Sequence, residues 1–566
     1  MAAIPAPAQT EFRTCPVTAL KVDLTAEKLI KVNAVTAIVF LAIGGLFALL
    51  LAFTRWQAVH LLPADWFYRL LTAHGLDMLV VWIVFFEVAG LYFGSTVVLN
   101  ARLVFPKVAW GAFVLMIVGT LMINGIVLAG KADVMFTAYA PLRADPLFYL
   151  GVILFAVGAL VAIFVFFATV VTAKKEKTYE GSLPLFTYGL VAAAIIATYA
   201  LLSGALAFVP ALLDSLNLLK VDPGYYRNLF WGFGHTAQQI NLAAMVSIWY
   251  ALAQITVGAV PVNEKLSRFA FILYLLAINL GSAHHLLVDP GYSFAWKTFN
   301  TSYIMYLAVL GSLIHAFSIP AAVEIAQRRK GFTNGLFGWL RKAPWKEPGF
   351  SALVVSMMIF GWIGGVTGVT IGTEQINMTA HNTMRLPGHF HATVVAGTTL
   401  AFMGITYYLI PLIFRKPLKF KKVASWQPYV YGGGMLIVSI FMIAAGLMGA
   451  PRRDWQINLA EFPGATGLMF AIVALGATIA VIGGLMFLLV VLASVFTGKQ
   501  EDANRLTLVM SQENPLVEDA LPNVGKEATG KYAPSGTLVI VFVFLMFFVV
   551  YYFSNWWLLG RAWIIR

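Results

Sequence analysis

This sequence predicts an all-α polytopic membrane protein with about thirteen transmembrane helices, and three observations carry the prediction. Of its 566 residues, 60% are hydrophobic and 11% are charged, a balance that soluble domains do not show. Apolar runs long enough to cross a hydrocarbon layer of about 30 Å recur from one end of the chain to the other. Lys and Arg collect in alternate loops between those runs, as in chains threaded back and forth through a bilayer.

The runs lie near 29 to 54, 68 to 100, 107 to 130, 148 to 172, 185 to 211, 228 to 258, 267 to 288, 298 to 325, 348 to 372, 385 to 414, 428 to 449, 463 to 497 and 535 to 558. Loops after even-numbered helices hold Lys174, Lys175 and Lys177, then Arg328, Arg329, Lys330, Arg341, Lys342 and Lys346, then Arg415, Lys416, Lys419, Lys421 and Lys422. Such charges stay on the cytoplasmic side, which predicts the N-terminus inside and the C-terminus outside. The net charge of +13 is then an anchoring feature, and nothing points to nucleic acid. Four parts follow: a polar cytoplasmic tail over 1–28, a twelve-helix core over 29–497, a cytoplasmic linker over 498–534, and the last helix within 535–566. The tail lacks the apolar stretch of a cleavable signal, so the first helix is expected to serve as its own. Cys15 is the single cysteine, which excludes a disulfide framework, an iron–sulfur cluster or a thiolate copper centre within this chain. Any such electron-entry centre belongs to another subunit.

Chemistry concentrates in Pro387-Gly388-His389-Phe390-His391. Successive helical residues turn by about 100°, so these two histidines point to nearly opposite sides of one rod and can hold two different groups. Imidazole is the commonest nitrogen ligand of metals and the usual axial ligand of haem iron. The alternative is a pair of rings bonded to backbone carbonyls or lining a polar cavity. On the sixth helix, His235 and Gln239 are four apart and share a face. His284 and His285 lie near the outer end of the seventh, where they converge on one ion only if the helix end adjusts or the ion sits between them. With His235 they supply a three-imidazole site suited to copper, iron or zinc.

Other polar residues stand out against the apolar background. His74 is flanked by Ala73 and Gly75, which would let a flat macrocycle approach the backbone. Asp77 and Glu87 are carboxylates within the membrane, each expected to have a partner or a function, with a buried pairing as the simpler account. Ser312, His315 and Ser318 are spaced by three on the eighth helix, with Tyr250 and Gln254 available on the sixth. They form either a hydrated proton path or helix–helix hydrogen bonds. The outer loop before the tenth helix holds Asn377, His381, Asn382 and Arg385. After the eleventh, Arg452 and Arg453 suit carboxylate or propionate groups, or form surface pairs.

Taken in order, the helix II histidine in Thr72-Ala73-His74-Gly75, the helix VI histidine, the helix VII His-His pair, the helix X His-x-His and Pro451-Arg452-Arg453 resemble the catalytic subunit of the haem-copper oxidase superfamily. The resemblance covers nearly the whole chain. Ala380-His381-Asn382-Thr383 and Pro-Gly-His-Phe-His are most similar to the B-type oxygen reductases. The resemblance implies the haem-copper oxidase fold and a membrane-bound terminal reductase in the lipid of a prokaryotic cytoplasmic membrane, carrying two haems and a second metal. It implies that His74 and His391 are the axial ligands of a low-spin, six-coordinate haem, and that His389 holds a high-spin, five-coordinate one. His235, His284 and His285 would hold the second metal. Arg452 and Arg453 would meet haem propionates on the outer side, and His381 would lie near those of the high-spin haem. Tyr250, Ser312, His315 and Ser318 resemble the B-type proton-input path, interrupted by Val246 where a tyrosine is expected. A second subunit with an electron-entry domain on the outer side is also implied, with cytochrome c, a cupredoxin or a quinol as donor.

Two residues depart from that pattern. In A-type and B-type oxygen reductases the residue four after the helix VI histidine is a tyrosine, linked to that histidine and implicated in splitting O₂; here it is Gln239. C-type enzymes place theirs six residues before the His-His pair, which is Ile278 here, with Tyr274 a full turn further away. Nitric oxide reductases of the superfamily lack this tyrosine, and the familiar ones carry a glutamate, nearly isosteric with Gln239. One-step cleavage of O₂ takes four electrons, whereas two NO give N₂O and water with two electrons and two protons and need no side-chain radical. The expected activity is therefore nitric oxide reduction, with Gln239, His235, His284, His285 and His389 at the catalytic centre. Oxygen reduction to water is the alternative, and a non-catalytic haem protein or transporter comes third. A neutral glutamine is a poor ligand for a hard ion, so copper is expected at the second metal rather than iron. Asn377 replaces an expected aspartate, which removes a charge from the proposed proton-exit zone.

Overall fold

The structure is a computed structural model and describes residues 11–15, 18–278, 282–458, 461–462, 464–499 and 532–562. Twelve helices among them are long and apolar enough to cross a membrane. They are α1 (Leu24–Arg55), α2 (Ala64–Val97), α3 (Pro106–Leu128), α4 (Pro146–Lys175), α5 (Leu185–Ser215), α6 (Pro223–Val257), α8 (Phe294–Arg329), α9 (Pro348–Ile371), α10 (Arg385–Phe414), α11 (Lys421–Leu447), α12 (Thr466–Thr497) and α13 (Ser535–Arg561). The seventh run is built in pieces: α7 (Glu264–Leu273), a widened turn over Tyr274–Ile278 and a tight 3₁₀ turn over Ser282–Leu286. The chain is thus a multi-span membrane protein.

Local chemistry fixes the helix starts. The Asp23 carboxylate accepts the Thr25 and Ala26 N–H groups at the head of α1, and its other oxygen accepts the Leu103 N–H at 2.7 Å. Asp145 and Asp222 cap α4 and α6 in the same way, each followed by a proline at the first helical position. Before α1, strand β1 (Phe12–Thr14) pairs antiparallel with β2 (Lys21–Asp23), so part of the expected polar tail is a small hairpin. Its Arg13 reaches Glu27 at 2.6 Å and the Leu412 carbonyl at 2.6 Å, tying α1 to the end of α10. Most of the expected linker, residues 500–531, lies outside the described residues.

Burial separates scaffold from centre. The apolar core of α10 is 94% buried and that of α6 is 83% buried, whereas α13 is only 11% buried. The two helices that carry the histidine motifs are therefore the inner ones. Around them, α11 packs on α12, α5 on α6 and α3 on α4. Small residues permit the close approach: a side chain on Gly434 would stand 2.3 Å from the Ala480 backbone nitrogen. Helix α13 is peripheral but anchored. Glu324 of α8 accepts the Gly536 N–H at 3.0 Å and the Thr537 N–H at 2.6 Å, and it also holds Arg328 at 2.8 Å. Helices α9 and α10 widen into π-turns at Ile359–Gly365 and His391–Thr398, which face each other. Such turns recur at functional sites because they free backbone carbonyls.

Candidate metal centre

Within α10, His389 and His391 turn to opposite sides. The His391 ring faces His74 of α2, with ring centroids 6.5 Å apart and planes 22° from parallel. That gap fits one metal atom between the facing nitrogens, given metal–imidazole bonds of about 2 Å. A cavity of about 540 Å³ opens around the pair, walled by aliphatic side chains and reached by Arg55, Arg452 and Arg453. Its size and its apolar wall with a few charged groups at one end suit a flat macrocycle with carboxylate arms. Gly75 does line this cavity, although Phe136 rather than open space lies against its missing side chain.

Backbone carbonyls set the tautomer of each ring. His74 Nδ1 lies 3.0 Å from the Gly44 oxygen, His391 Nδ1 lies 2.7 Å from the Pro387 oxygen, and His389 Nδ1 lies 2.9 Å from the Gly364 oxygen. A carbonyl only accepts, so each Nδ1 carries the proton and donates it. The three Nε2 lone pairs are left for metal. His389 is pressed from behind by Gly368, where a Cβ would stand 2.7 Å from its Cε1.

His235, His284 and His285 converge: one nitrogen from each lies within 4.8 Å of the others, a spacing a single metal can bridge. His235 Nδ1 stands 2.7 Å from His285 Nε2. The tight turn over Ser282–Leu286 is the adjustment that brings adjacent histidines to one point. On its other side, His235 Nε2 lies 2.7 Å from the terminal amide of Gln239. As placed, the amide Nε2–H of Gln239 donates to this ring nitrogen and Oε1 has no partner among the described residues; a half-turn of the amide would instead let His235 Nε2–H donate to Oε1. In that second orientation Nδ1 carries the lone pair and is free to bind metal. Gln239 thus orients the His235 ring through a direct hydrogen bond and offers no redox chemistry of its own.

Residues that the sequence reading left out complete the surroundings. Trp231, one turn before His235, stacks on His285 at 3.8 Å with planes 2° apart, and its Nε1–H donates to the Tyr139 hydroxyl at 2.6 Å. Arg227 and Asp289 form a two-point ion pair at 2.6 and 2.7 Å, with the Arg227 guanidinium over the Tyr139 ring. The helical spacing of Trp231 from His235 was a usable signal; the Arg227–Asp289 pairing across distant segments had none. Burial raises the Tyr139 hydroxyl above its usual range. Arg452 donates to Asn382 through its backbone at 2.9 Å and its side chain at 3.1 Å. Burial, and then Arg453, pulls Arg452 down to about 9, so it stays charged at neutral pH. His381 is held down to about 4 by burial and by Arg452. It does not line the large cavity. Asn377 donates to the Ile371 carbonyl at 2.9 Å, a structural bond.

Of the expected proton-path residues, Tyr250 joins His315 at 3.0 Å and also contacts Ser318, while Ser312 pairs with Tyr274 at 3.1 Å. Ser267 on α7, not foreseen, takes the Tyr250 O–H at 2.9 Å. Tyr274 thus belongs to this polar file. The expected carboxylate pairings hold only in part. Asp77 accepts from Asn124 at 2.9 Å, but Glu87 Oε1 has no hydrogen-bond partner among the described residues, because its neighbours are apolar.

The family described as Cytochrome C and Quinol oxidase polypeptide I matches residues 28–479. This chain belongs to it, as subunit I of a haem-copper oxidase. This haem-copper oxidase subunit is 32% identical over 411 residues to cytochrome c oxidase subunit 1 of Thermus thermophilus, spanning 70% of each chain. It is 26% identical over 414 residues to cytochrome c oxidase polypeptide 1 of Halobacterium salinarum, covering 68% of this chain and 64% of the relative. To quinol oxidase subunit 1 of Bacillus subtilis it is 23% identical over 424 residues, covering 69% of this chain and 60% of the relative. Its fold is similar to that of a haem-copper terminal oxidase dimer solved by cryo-EM, with a TM-score of 0.81 and 24% identity over 93% of this chain and 92% of that one. Family members normally carry two haems and a copper or related metal, and the ring spacing and convergent nitrogens here fit such groups.

Proposed function

We propose that this haem-copper oxidase subunit is the catalytic subunit of a nitric oxide reductase, which converts two NO, two electrons and two protons into N₂O and water. The observation that carries the reading is the Gln239 amide at 2.7 Å from His235 Nε2, the position where oxygen-reducing relatives of the B-type carry a redox-active tyrosine. An amide orients the imidazole and supplies neither an electron nor a proton, which suffices for a two-electron reaction. When bound, two haems and a second metal, copper by preference, store the electrons and provide the reducing site.

The chain's own residues divide the remaining work. His74 and His391 are assigned to the low-spin haem, His389 to the high-spin one, and His235, His284 and His285 to the second metal. Trp231 fixes the plane of His285, and Gln239 orients the ring of His235. Arg452 and Arg453 offer fixed positive charge to propionates at the rim of the large cavity. Tyr250, His315, Ser318 and Ser312 form a polar file through which protons enter from the cytoplasmic side. A second subunit delivers electrons at the outer side from cytochrome c, a cupredoxin or a quinol, and the complex sits in a prokaryotic cytoplasmic membrane with the N-terminus inside.

Oxygen reduction is the second reading, favoured by the Thermus thermophilus relative's being a cytochrome c oxidase subunit. Turnover of the purified, reduced complex with NO and with O₂ separately distinguishes the two. Rapid N₂O formation with slow O₂ consumption is expected. Gln239→Tyr is expected to raise O₂ turnover and lower NO turnover; fast O₂ reduction by the unaltered complex, with little N₂O, would overturn the reading.

A further inference from the structure

Arg385 is a charged residue the assignments above leave unused, and three features of its setting oppose a cation. It is 4% exposed, so its guanidinium is out of water. It is the first residue of α10, where free N–H groups and the helix dipole favour a negative group instead. No carboxylate among the described residues pairs with it. A buried charge without a counter-charge is costly, and a glutamine could donate to the same neighbours at lower cost.

The last helix holds the side chain. Arg385 donates to Asn555 Oδ1 of α13 at 2.6 Å, and the hydroxyl of Tyr551, one turn earlier on α13, lies beside the same guanidinium. Asn555 Nδ2–H donates to the Tyr551 carbonyl at 2.8 Å, which leaves the amide oxygen for Arg385. Arg385 Nε has no hydrogen-bond partner among the described residues. The groups around the guanidinium are therefore neutral oxygens, which orient it and leave its charge uncancelled. An aspartate at 555 would keep the acceptor and neutralise the charge.

The cation also has a fixed place relative to His389. The Met384 N–H donates to the Ala450 carbonyl at 2.9 Å, and Gly446 of α11 packs directly on the Arg385 backbone. Arg385 and His389 are four apart on α10, so they share a face, with Cβ atoms about 5–6 Å apart. Helix α13 packs on the outer end of α9, where the Thr373 and Tyr552 hydroxyls are 3.2 Å apart. The same end of α9 sets Thr367 and Gly368 against the His389 ring. His391 turns to the other side of α10.

We propose that Arg385 is a fixed positive charge, held but not neutralised by α13, that raises the reduction potential of the haem on His389 relative to that of the haem on His74 and His391. The proposal rests on the assignment of His389 to the high-spin haem and is independent of whether NO or O₂ is reduced. Reduction adds an electron, which a nearby positive charge favours, so Arg385 biases electrons toward the reducing centre. A unit charge acting over about 10–15 Å at an effective dielectric of about 20 changes a one-electron equilibrium about tenfold, which is about 59 mV. Arg385 is thus a positioning residue for electrons, and α13, the least buried of the spans, acquires a part in the chemistry.

The test is a spectroelectrochemical titration of both haems in the whole complex, unaltered or carrying Arg385→Gln, Arg385→Lys or Asn555→Asp. Asn555→Asp matters most, because it keeps the contact, cancels the charge and leaves α10 untouched. In Arg385→Gln and Asn555→Asp the CO-reactive haem is expected to become about tenfold harder to reduce, a fall of about 59 mV, with a smaller shift at the low-spin haem. Arg385→Lys keeps the unaltered potential. An unshifted CO-reactive haem in Asn555→Asp overturns the proposal, as does an equal shift of both haems. A merely structural clamp predicts release of α13 by protease in Arg385→Gln and no shift in Asn555→Asp. If Arg385→Gln assembles without haem, Asn555→Asp alone decides. His389→Ala tests the underlying assignment separately: a CO-reactive haem that persists there sinks the assignment, whereas its loss there, with no shift in Asn555→Asp, sinks the proposal alone.

Discussion

Gly368→Ala is the sharpest test of His389 as an iron ligand. The added Cβ would stand 2.7 Å from His389 Cε1 and 3.4 to 3.5 Å from the two ring nitrogens. Carbon–carbon contacts settle at about 3.5–4.0 Å, so the ring must retreat by roughly 0.8 Å. It cannot swing freely, because Nδ1–H is bonded to the Gly364 oxygen at 2.9 Å with Thr367 beside it at 3.2 Å. Metal–ligand distances tolerate only about 0.2 Å, so the displacement falls on the iron bond. Overpacking of this kind costs about 1–3 kcal/mol, which corresponds to roughly 5- to 150-fold weaker ligation. The assay is haem content together with the carbon monoxide difference spectrum of the reduced complex, since only a five-coordinate haem has an open position for CO. The CO-reactive fraction is expected to fall by that factor, while the low-spin haem proposed for His74 and His391, on the opposite side of α10, keeps its spectrum. A stable Gly368→Ala complex with unchanged CO binding would refute the assignment of His389.

Two further outcomes follow from the outer loop and the last helix. His381 is held down to about 4 against an ordinary value near 6.5, by burial first and by Arg452 next. Between those values the unfolded chain binds a proton that the folded chain does not, so folded stability falls as pH drops from 6.5 to 4. His381→Gln should reduce the loss in Tm between pH 7 and pH 5 in detergent; an unchanged loss would contradict the burial argument. Glu324→Ala removes the acceptor for two α13 N–H groups and leaves the buried Arg328 guanidinium without its carboxylate. Breaking a buried pair from one side costs about 3–5 kcal/mol, so α13 should be released by mild proteolysis under conditions that leave the unaltered protein intact. Equal resistance to protease would count against this docking.

The helices and the clustering of the histidines were legible for one reason: in a membrane, polarity is expensive and so carries information. Bilayer thickness sets the length of each apolar run, and twelve of the expected spans appear, although the eleventh begins at Lys421 rather than near 428, where Pro428 is accommodated inside the helix. The chain has nine histidines, and the six expected to bind metal fall into two facing sets, His74 with His391 and His235 with His284 and His285, plus His389 alone. Legibility ended where two distant segments had to be paired. Helical spacing gives the face on which Glu87 lies but not what the facing helices present, and the facing wall is apolar. Arg227 with Asp289, and Ser267 with Tyr250, are matches of the same kind.

The widened turns connect the backbone to the chemistry. A regular α-helix commits nearly every carbonyl to its own ladder, so a side chain must share an acceptor already in use, as the His74 Nδ1–H does with the Gly44 oxygen of α1. Where α9 widens at Ile359–Gly365, the Gly364 oxygen takes the His389 Nδ1–H and the Thr367 hydroxyl. Where α10 widens at His391–Thr398, the Val395 and Gly397 oxygens take the hydroxyls of Tyr431 and Ser356. These bonds brace the neighbouring helices against the segment that carries His389 and His391, and they fix the plane of the His389 ring proposed to hold iron. The irregularity therefore supports the histidine motif: the widened turn of α9 sets the Gly364 oxygen where the His389 Nδ1–H reaches it, and that bond fixes the tautomer of the ring.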